Sequence, residues 1–149
     1  NIIQYFEQNN IEFDLYGFGW NKSDRTSYRG KVEDKLYTMA KYKFSICFEN
    51  MKSKSGYITE KIFDAFFSGC VPVYYGAEDI SRFIPENTFI DYRKFDSLDE
   101  LYLYLHSMDE IRYKEIISNI NRYLQSDLYK SNFSIDSYVN RMADIIIGD

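Results

Sequence analysis

The sequence predicts an α/β fold in which a parallel sheet carries helices on both faces. Two short apolar runs, Phe44–Phe48 and Cys70–Tyr75, have the length and composition of buried strands. Around them, apolar residues recur at helical spacing. Strand and helix signals alternate at crossover lengths, as parallel strands require. A chain of 149 residues with 45% hydrophobic and 28% charged residues, seven glycines and two prolines is globular in composition, and a single domain over 1–149 is expected.

The elements follow in order. Ile2, Ile3 and Phe6, then the polar stretch Glu7–Asn10, read as the end of an amphipathic helix closed by Asn9 and Asn10. Ile11, Phe13 and Leu15 alternate with Glu12 and Asp14, which predicts a strand running into Tyr16–Gly19. Trp20–Gly30 has loop composition. Val32, Leu36, Met39 and Ala40 have helical spacing, and the Phe44–Phe48 strand follows. After the polar Met51–Gly56 loop, Ile62, Phe63, Phe66 and Phe67 form a helical stripe, read as core, that stops at Gly69. The next strand, Cys70–Tyr75, ends at Gly76; Ser81–Ile84 reads as a helical turn and Phe89-Ile90 as a last short strand. Helical periodicity then covers Leu98–Met108, Ile111–Leu124 and Ile135–Ile147. The chain begins at Asn1 and inside a helix, so a first strand is expected upstream.

Composition narrows the function. With 18 basic and 23 acidic residues, the net charge of −5 argues against a binder that neutralises nucleic-acid phosphates. The charge is uneven: −3 over 1–20, +5 over 21–61 and −7 over 62–149. A positive stretch in an acidic chain suits a small anion, although Lys22 to Lys61 also read as decoration of solvated faces. No apolar run approaches the ~18 residues of a membrane-spanning helix. Cys47 and Cys70 both lie in apolar stretches and read as buried thiols. Fifteen Tyr, twelve Phe and one Trp imply many half-buried rings.

Ligands of open α/β sheets bind where the carboxyl ends of strands lead into helix N-termini. Here Phe44–Phe48 leads through Glu49-Asn50 to Tyr57-Ile58-Thr59-Glu60-Lys61, with Thr59 placed as the N-cap of the next helix. A phosphate at that point would meet free backbone N–H groups, the positive end of the helix dipole and the Lys61 ammonium. Glu60 would repel phosphate unless it serves another group such as sugar hydroxyls, which suggests a nucleotide or nucleotide-sugar. The same residues also read as a capped helix whose Glu60 and Lys61 are solvated, and residue types alone leave both readings open.

The blocks Tyr42–Asn50, Gly56–Ile62 and Gly69–Gly76, with Phe83-Ile84-Pro85, Phe89-Ile90 and the Asp96–Leu105 stretch, resemble the α1,3/α1,4-fucosyltransferases of glycosyltransferase family 10. The resemblance implies a GT-B architecture, two Rossmann-like domains across a cleft, with this chain as the C-terminal, GDP-fucose-binding one. It implies further that Lys61 contacts the diphosphate, that Glu60 contacts ribose or fucose hydroxyls, and that Tyr57 and Asn50 line the nucleotide pocket. Glu49 also matches, as a ligand contact or as a structural residue at the strand end. The family's further phosphate-binding arginine and its catalytic base are expected upstream of Asn1, the base on an N-terminal acceptor domain. Arg25, Arg29 and Lys31 are not assigned the arginine's role.

The reaction the resemblance implies is an inverting transfer of fucose from GDP-fucose to an oligosaccharide acceptor, with Glu60 and Lys61 as the catalytic groups in this chain. The isolated chain is expected to be inactive. No two aspartates lie two positions apart, so Lys61 and the helix start are expected to compensate the leaving GDP without a metal or other cofactor. His106 reads as a structural or surface residue, and Tyr74-Tyr75 as packing at a strand edge. The expected location is the bacterial cytoplasm, peripheral to a membrane at most. The alternatives are the same family acting on another nucleotide-sugar, and a non-catalytic sugar-binding or interaction module.

Overall fold

The computed structural model describes residues 1–21, 23, 25–51 and 54–147. Parts of the expected 20–30 and 51–56 loops, Lys22, Asp24, Lys52 and Ser53, lie outside the described residues. Among the described residues, five strands and seven α-helices follow in the order α1 (Ile2–Gln8), β1 (Leu15–Tyr16), β2 (Tyr28–Gly30), α2 (Lys35–Met39), β3 (Phe44–Phe48), α3 (Glu60–Ser68), β4 (Val71–Tyr75), β5 (Ile90–Asp91), α4 (Leu98–Ser107), α5 (Glu110–Gln125), α6 (Asp127–Phe133) and α7 (Ile135–Ile147). Among these helices none is long and apolar enough to cross a membrane.

The strands form two parallel sheets, β1-β2 and β3-β4-β5. The second is the frame of the molecule. β4 is its middle strand, paired in register with β3 from Phe44↔Val71 to Phe48↔Tyr75 and with β5 at Val73↔Ile90 and Tyr74↔Asp91. Val71, Pro72, Val73 and Tyr74 are all buried, so both faces of β4 are covered, as the unbroken apolar run predicts. β3 is an edge strand and leaves Ile46 partly exposed. All three strands point the same way, so Glu49, Gly76 and Tyr92 follow them at one carboxyl edge.

The crossover from β3 to β4 is α3. Its buried Ile62, Ala65 and Phe66 join Cys47, Val71, Val73 and Tyr74 in the core. The helix stops where the chain turns left-handed at Gly69 (φ 76°), whose N–H returns to the last turn. Of the three phenylalanines read as core, Phe66 is buried and Phe63 packs on Phe66 and Phe133. Phe67 is 54% exposed, because its position falls off the buried stripe.

Three differences from expectation have local causes. The Ile11–Leu15 alternation yields strand only from Leu15, where the chain first meets a neighbour: Leu15 N–H donates to Ser27 and Leu15 pairs with Tyr28. That neighbour, β2, lies in a stretch of loop composition and becomes strand by tertiary pairing. The expected single four-stranded sheet is therefore two sheets. Helix α6, absent from the periodicity, is nucleated by the Ser126 hydroxyl accepting from Tyr129 N–H at 3.2 Å, and it presents Tyr129 and Phe133 to Phe63. Cys47 and Cys70 are buried free thiols as expected; Cys70 donates to the carbonyls of Met39 and Tyr42.

Truncating the crossover helix should show this division of burial. Ile62→Ala should lose about 2–5 kcal/mol of stability in urea unfolding, and Phe67→Ala no more than about 1 kcal/mol. Equal losses would mean that α3 does not bury the face described.

Candidate functional site

The site begins with a buried carboxylate. Glu49 leaves the end of β3 with its backbone N–H donating to Tyr75 O at 2.8 Å, which sets its side chain inside the carboxyl edge. That side chain is fully buried, and three donors satisfy it. Thr59 N–H donates to Oε1 at 2.8 Å, the Thr59 hydroxyl lies 2.8 Å from Oε2, and Lys61 Nζ is 2.9 Å from Oε2. Gly76, just after β4, backs this arrangement. A Cβ built there would lie 2.5 Å from Glu49 Cγ and against the Tyr74 hydroxyl. Burial pushes the Tyr74 phenol up to about 12, so it stays protonated; it accepts from Ala77 N–H at 3.0 Å.

Thr59 is the N-cap residue of α3, with extended backbone as expected, but its hydroxyl makes no cap bond. It faces Glu49 and Lys61 Nζ instead, the latter at 3.3 Å. The first turn of α3 thus lacks a side-chain cap, and its N–H groups and dipole are left for another acceptor. Burial opposes the charge on Lys61, yet the Glu49 carboxylate outweighs it and holds the ammonium above the ordinary lysine range. Its side chain remains 28% exposed.

The other expected site residues group around this pair. Asn50 is exposed directly after Glu49, Tyr57 is half-buried on the approach to α3, and Glu60 is the exposed first residue of that helix. Asp79 holds the turn that carries Tyr57: it accepts from Gly56 N–H at 2.8 Å and from the Ser55 hydroxyl. Those two bonds pull its carboxyl below the usual aspartate range. Phe48, Tyr75 and Tyr92 close the strand ends as a ring cluster, with centroids 5.0 to 5.5 Å apart. A shallow cleft of about 140 Å³ lined by Gly56, Ile58, Phe83, Asn132, Phe133 and Arg141 adjoins the turn; Glu60 and Lys61 are not among its lining residues.

The positive stretch over 21–61 is largely neutralised within the chain. Arg25 pairs with Glu7, Arg29 with Asp14, Lys35 with Asp64 and Lys43 with Glu110, while Lys31 lies 4.6 Å from the Phe18 ring. Half of its described cations are partners for acids elsewhere in the chain, and Lys61 is its one described member placed at the helix start. His106 is exposed and stacks on Tyr102, a surface residue as expected. Tyr74 is core. Sequence reasoning left Glu49 undecided between two roles and did not mark Asp79, which lies 23 residues from Gly56. A carboxylate directly after a buried strand was the available signal for Glu49; Asp79 had none.

The family model described as glycosyltransferase family 10 (fucosyltransferase) C-term matches residues 1–140. The chain belongs to this family. It is 35% identical over 88 residues to an α-(1,3)-fucosyltransferase of Helicobacter pylori, covering 57% of this chain and 18% of that protein. An α-(1,4)-fucosyltransferase of Arabidopsis thaliana is 42% identical over 79 residues, covering 52% and 20%. The 4-galactosyl-N-acetylglucosaminide 3-alpha-L-fucosyltransferase 9 of Mus musculus is 30% identical over 138 residues, covering 90% and 34%. The chain therefore spans about a third or less of the length of these relatives. A crystal structure of an α1,3-fucosyltransferase with GDP superimposes with a TM-score of 0.53 at 27% identity, over 72% of this chain and 37% of that one. The fold is the one expected, the Rossmann-like α/β architecture of GT-B fucosyltransferases.

Asp79 sets a pH dependence. A carboxyl whose folded pKa is depressed contributes stability above its unfolded value, and that contribution is lost as pH falls through the folded value. Protection of the Gly56 amide from hydrogen exchange should persist from neutral pH through the ordinary aspartate range near 4 and fail below it. Failure already at pH 5 would show that Asp79 does not hold the turn.

Proposed function

We propose that this chain binds GDP-fucose and forms the donor half of an inverting fucosyltransferase that acts on a glycan acceptor. The observation that carries the reading is the start of α3 at the carboxyl edge, uncapped by its N-cap residue Thr59 and flanked by the Lys61 ammonium. This combination suits a diphosphate, which takes backbone N–H groups and a cation together. The names of the relatives and the GDP complex of a similar enzyme support the same donor.

In this reading Lys61 binds the diphosphate and, with the first-turn N–H groups, carries the charge of the departing GDP. Glu60, exposed beside it, takes sugar hydroxyls or faces the cationic character that develops at the anomeric carbon. Asn50 and Tyr57 line the nucleotide. The acceptor hydroxyl loses its proton to a carboxylate on an acceptor domain, attacks the anomeric carbon opposite GDP, and inverts its configuration. In this reading charge compensation falls to Lys61, which Glu49 holds at the helix start, and to the helix itself. A sugar-binding module without turnover would need no anion-binding helix start.

Lys61→Ala should weaken GDP at least tenfold in calorimetry while changing guanosine affinity less than twofold, because the lost contact is to phosphate. Equal losses would overturn the assignment. The chain alone, incubated with GDP-fucose and a lactosamine acceptor, should give no fucosylated product. In this reading the base and the acceptor-positioning surface belong to the acceptor domain, and positioning alone can contribute about 7–11 kcal/mol in favourable cases. Product above the blank would show that the base lies within these residues.

A further inference from the structure

We propose that Glu49 is a positioning residue of the donor site, holding the Lys61 ammonium and the start of α3 where the donor's diphosphate meets them. The inference rests on the donor reading above and assigns a role within it to a residue that touches no ligand. Its geometry is specific. The carboxylate is fully buried, and its three protein donors come from the two residues that frame the helix start, the Thr59 N–H and hydroxyl and the Lys61 ammonium. The strand end fixes it from behind through the Glu49 N–H bond to Tyr75 O, and Gly76, without a Cβ, makes the room that the Glu49 Cγ occupies.

Two consequences follow for the cation. A lysine side chain is long and flexible, and holding it before the ligand arrives removes the ordering cost from binding. The exposed Glu60 adjoins Lys61 in the chain and is the competing anion; Glu49 keeps Nζ on the inner side of the helix start. Both Glu49 oxygens already accept from Thr59 and Lys61, and a carboxylate offers no donor to a phosphate, so its effect passes through Lys61.

The test is a double-mutant cycle read by calorimetry with GDP and guanosine. Glu49→Gln keeps shape and removes the charge. It should weaken GDP about tenfold, change guanosine less than twofold, and have less than a twofold effect on GDP when added to Lys61→Ala. Equal weakening of both ligands, an undiminished effect in the Lys61→Ala background, or unchanged or tighter GDP binding would each overturn the inference. If Glu49→Gln does not fold by circular dichroism, Thr59→Val removes the hydroxyl shared by Glu49 and Lys61. It should weaken GDP about threefold with the same dependence on Lys61, and additivity there would overturn the inference. Should Lys61→Ala itself fail to separate GDP from guanosine, the donor reading falls and this inference with it. A Lys61 effect present without coupling removes the inference alone.

Discussion

The burial of the Glu49 carboxylate at the end of β3 is the constraint around which the site is organised. An ionised group without water is stable only where donors replace the water, and here they come from the segment that starts α3. Removing one partner of such a pair commonly costs about 3–5 kcal/mol, so the strand end and the helix start behave as one unit. The rest of the crossover reinforces them: the Cys47 thiol donates to the Lys61 carbonyl at 3.3 Å, and Ile62, Ala65 and Phe66 bury the inner face of the helix. The absence of a side chain at Gly76 is part of the same arrangement, since any Cβ there would collide with Glu49.

Electrostatics outside the site works mainly to join segments. Glu7 draws Arg25 and Ser27 toward α1, Asp14 draws Arg29 and the Tyr42 hydroxyl, and Tyr16 meets Tyr42. These contacts carry the small β1-β2 sheet alongside the chain that enters β3. They also explain why a locally basic stretch does not make a broad anion-attracting surface: most of its described cations already face carboxylates. On the proposed reading, selectivity for an anion then depends on backbone N–H groups and one placed lysine rather than on net field.

The frame was legible in the sequence because it depends on periodicity. Val71–Tyr75 is the buried strand its unbroken apolar run predicts, Phe44–Phe48 is strand as expected but half-buried at the sheet edge with only Cys47 buried, and α3, α4, α5 and α7 keep helical spacing. What depends on distant pairing was not legible. β2 is strand because β1 lies beside it, and residues 11–14 are not strand because no described strand pairs with their backbone. At the site, the helix start and Lys61 could be placed from spacing and residue type. That Thr59 turns its hydroxyl away from the helix and toward Glu49 could not, since the choice between capping and bonding a carboxylate is made by the end of another element.

The site combines a rigid part with an open part, and the division bears on chemistry. Lys61, Thr59 and Glu49 are held by the crossover and by one another, so the groups that would meet phosphate are in place beforehand. Asn50 and Glu60 stand exposed at the same edge. On the proposed reading, a carboxylate such as Glu60 has little influence on a developing positive charge while water surrounds it, because high dielectric screens the interaction. Its influence grows only when donor, acceptor and the facing surface exclude that water. Donor binding would therefore draw on what the crossover alone supplies, whereas stabilisation of the transition state would require the closed assembly. On that reading, recognition of the nucleotide and transfer of the sugar would separate physically at this edge of the sheet.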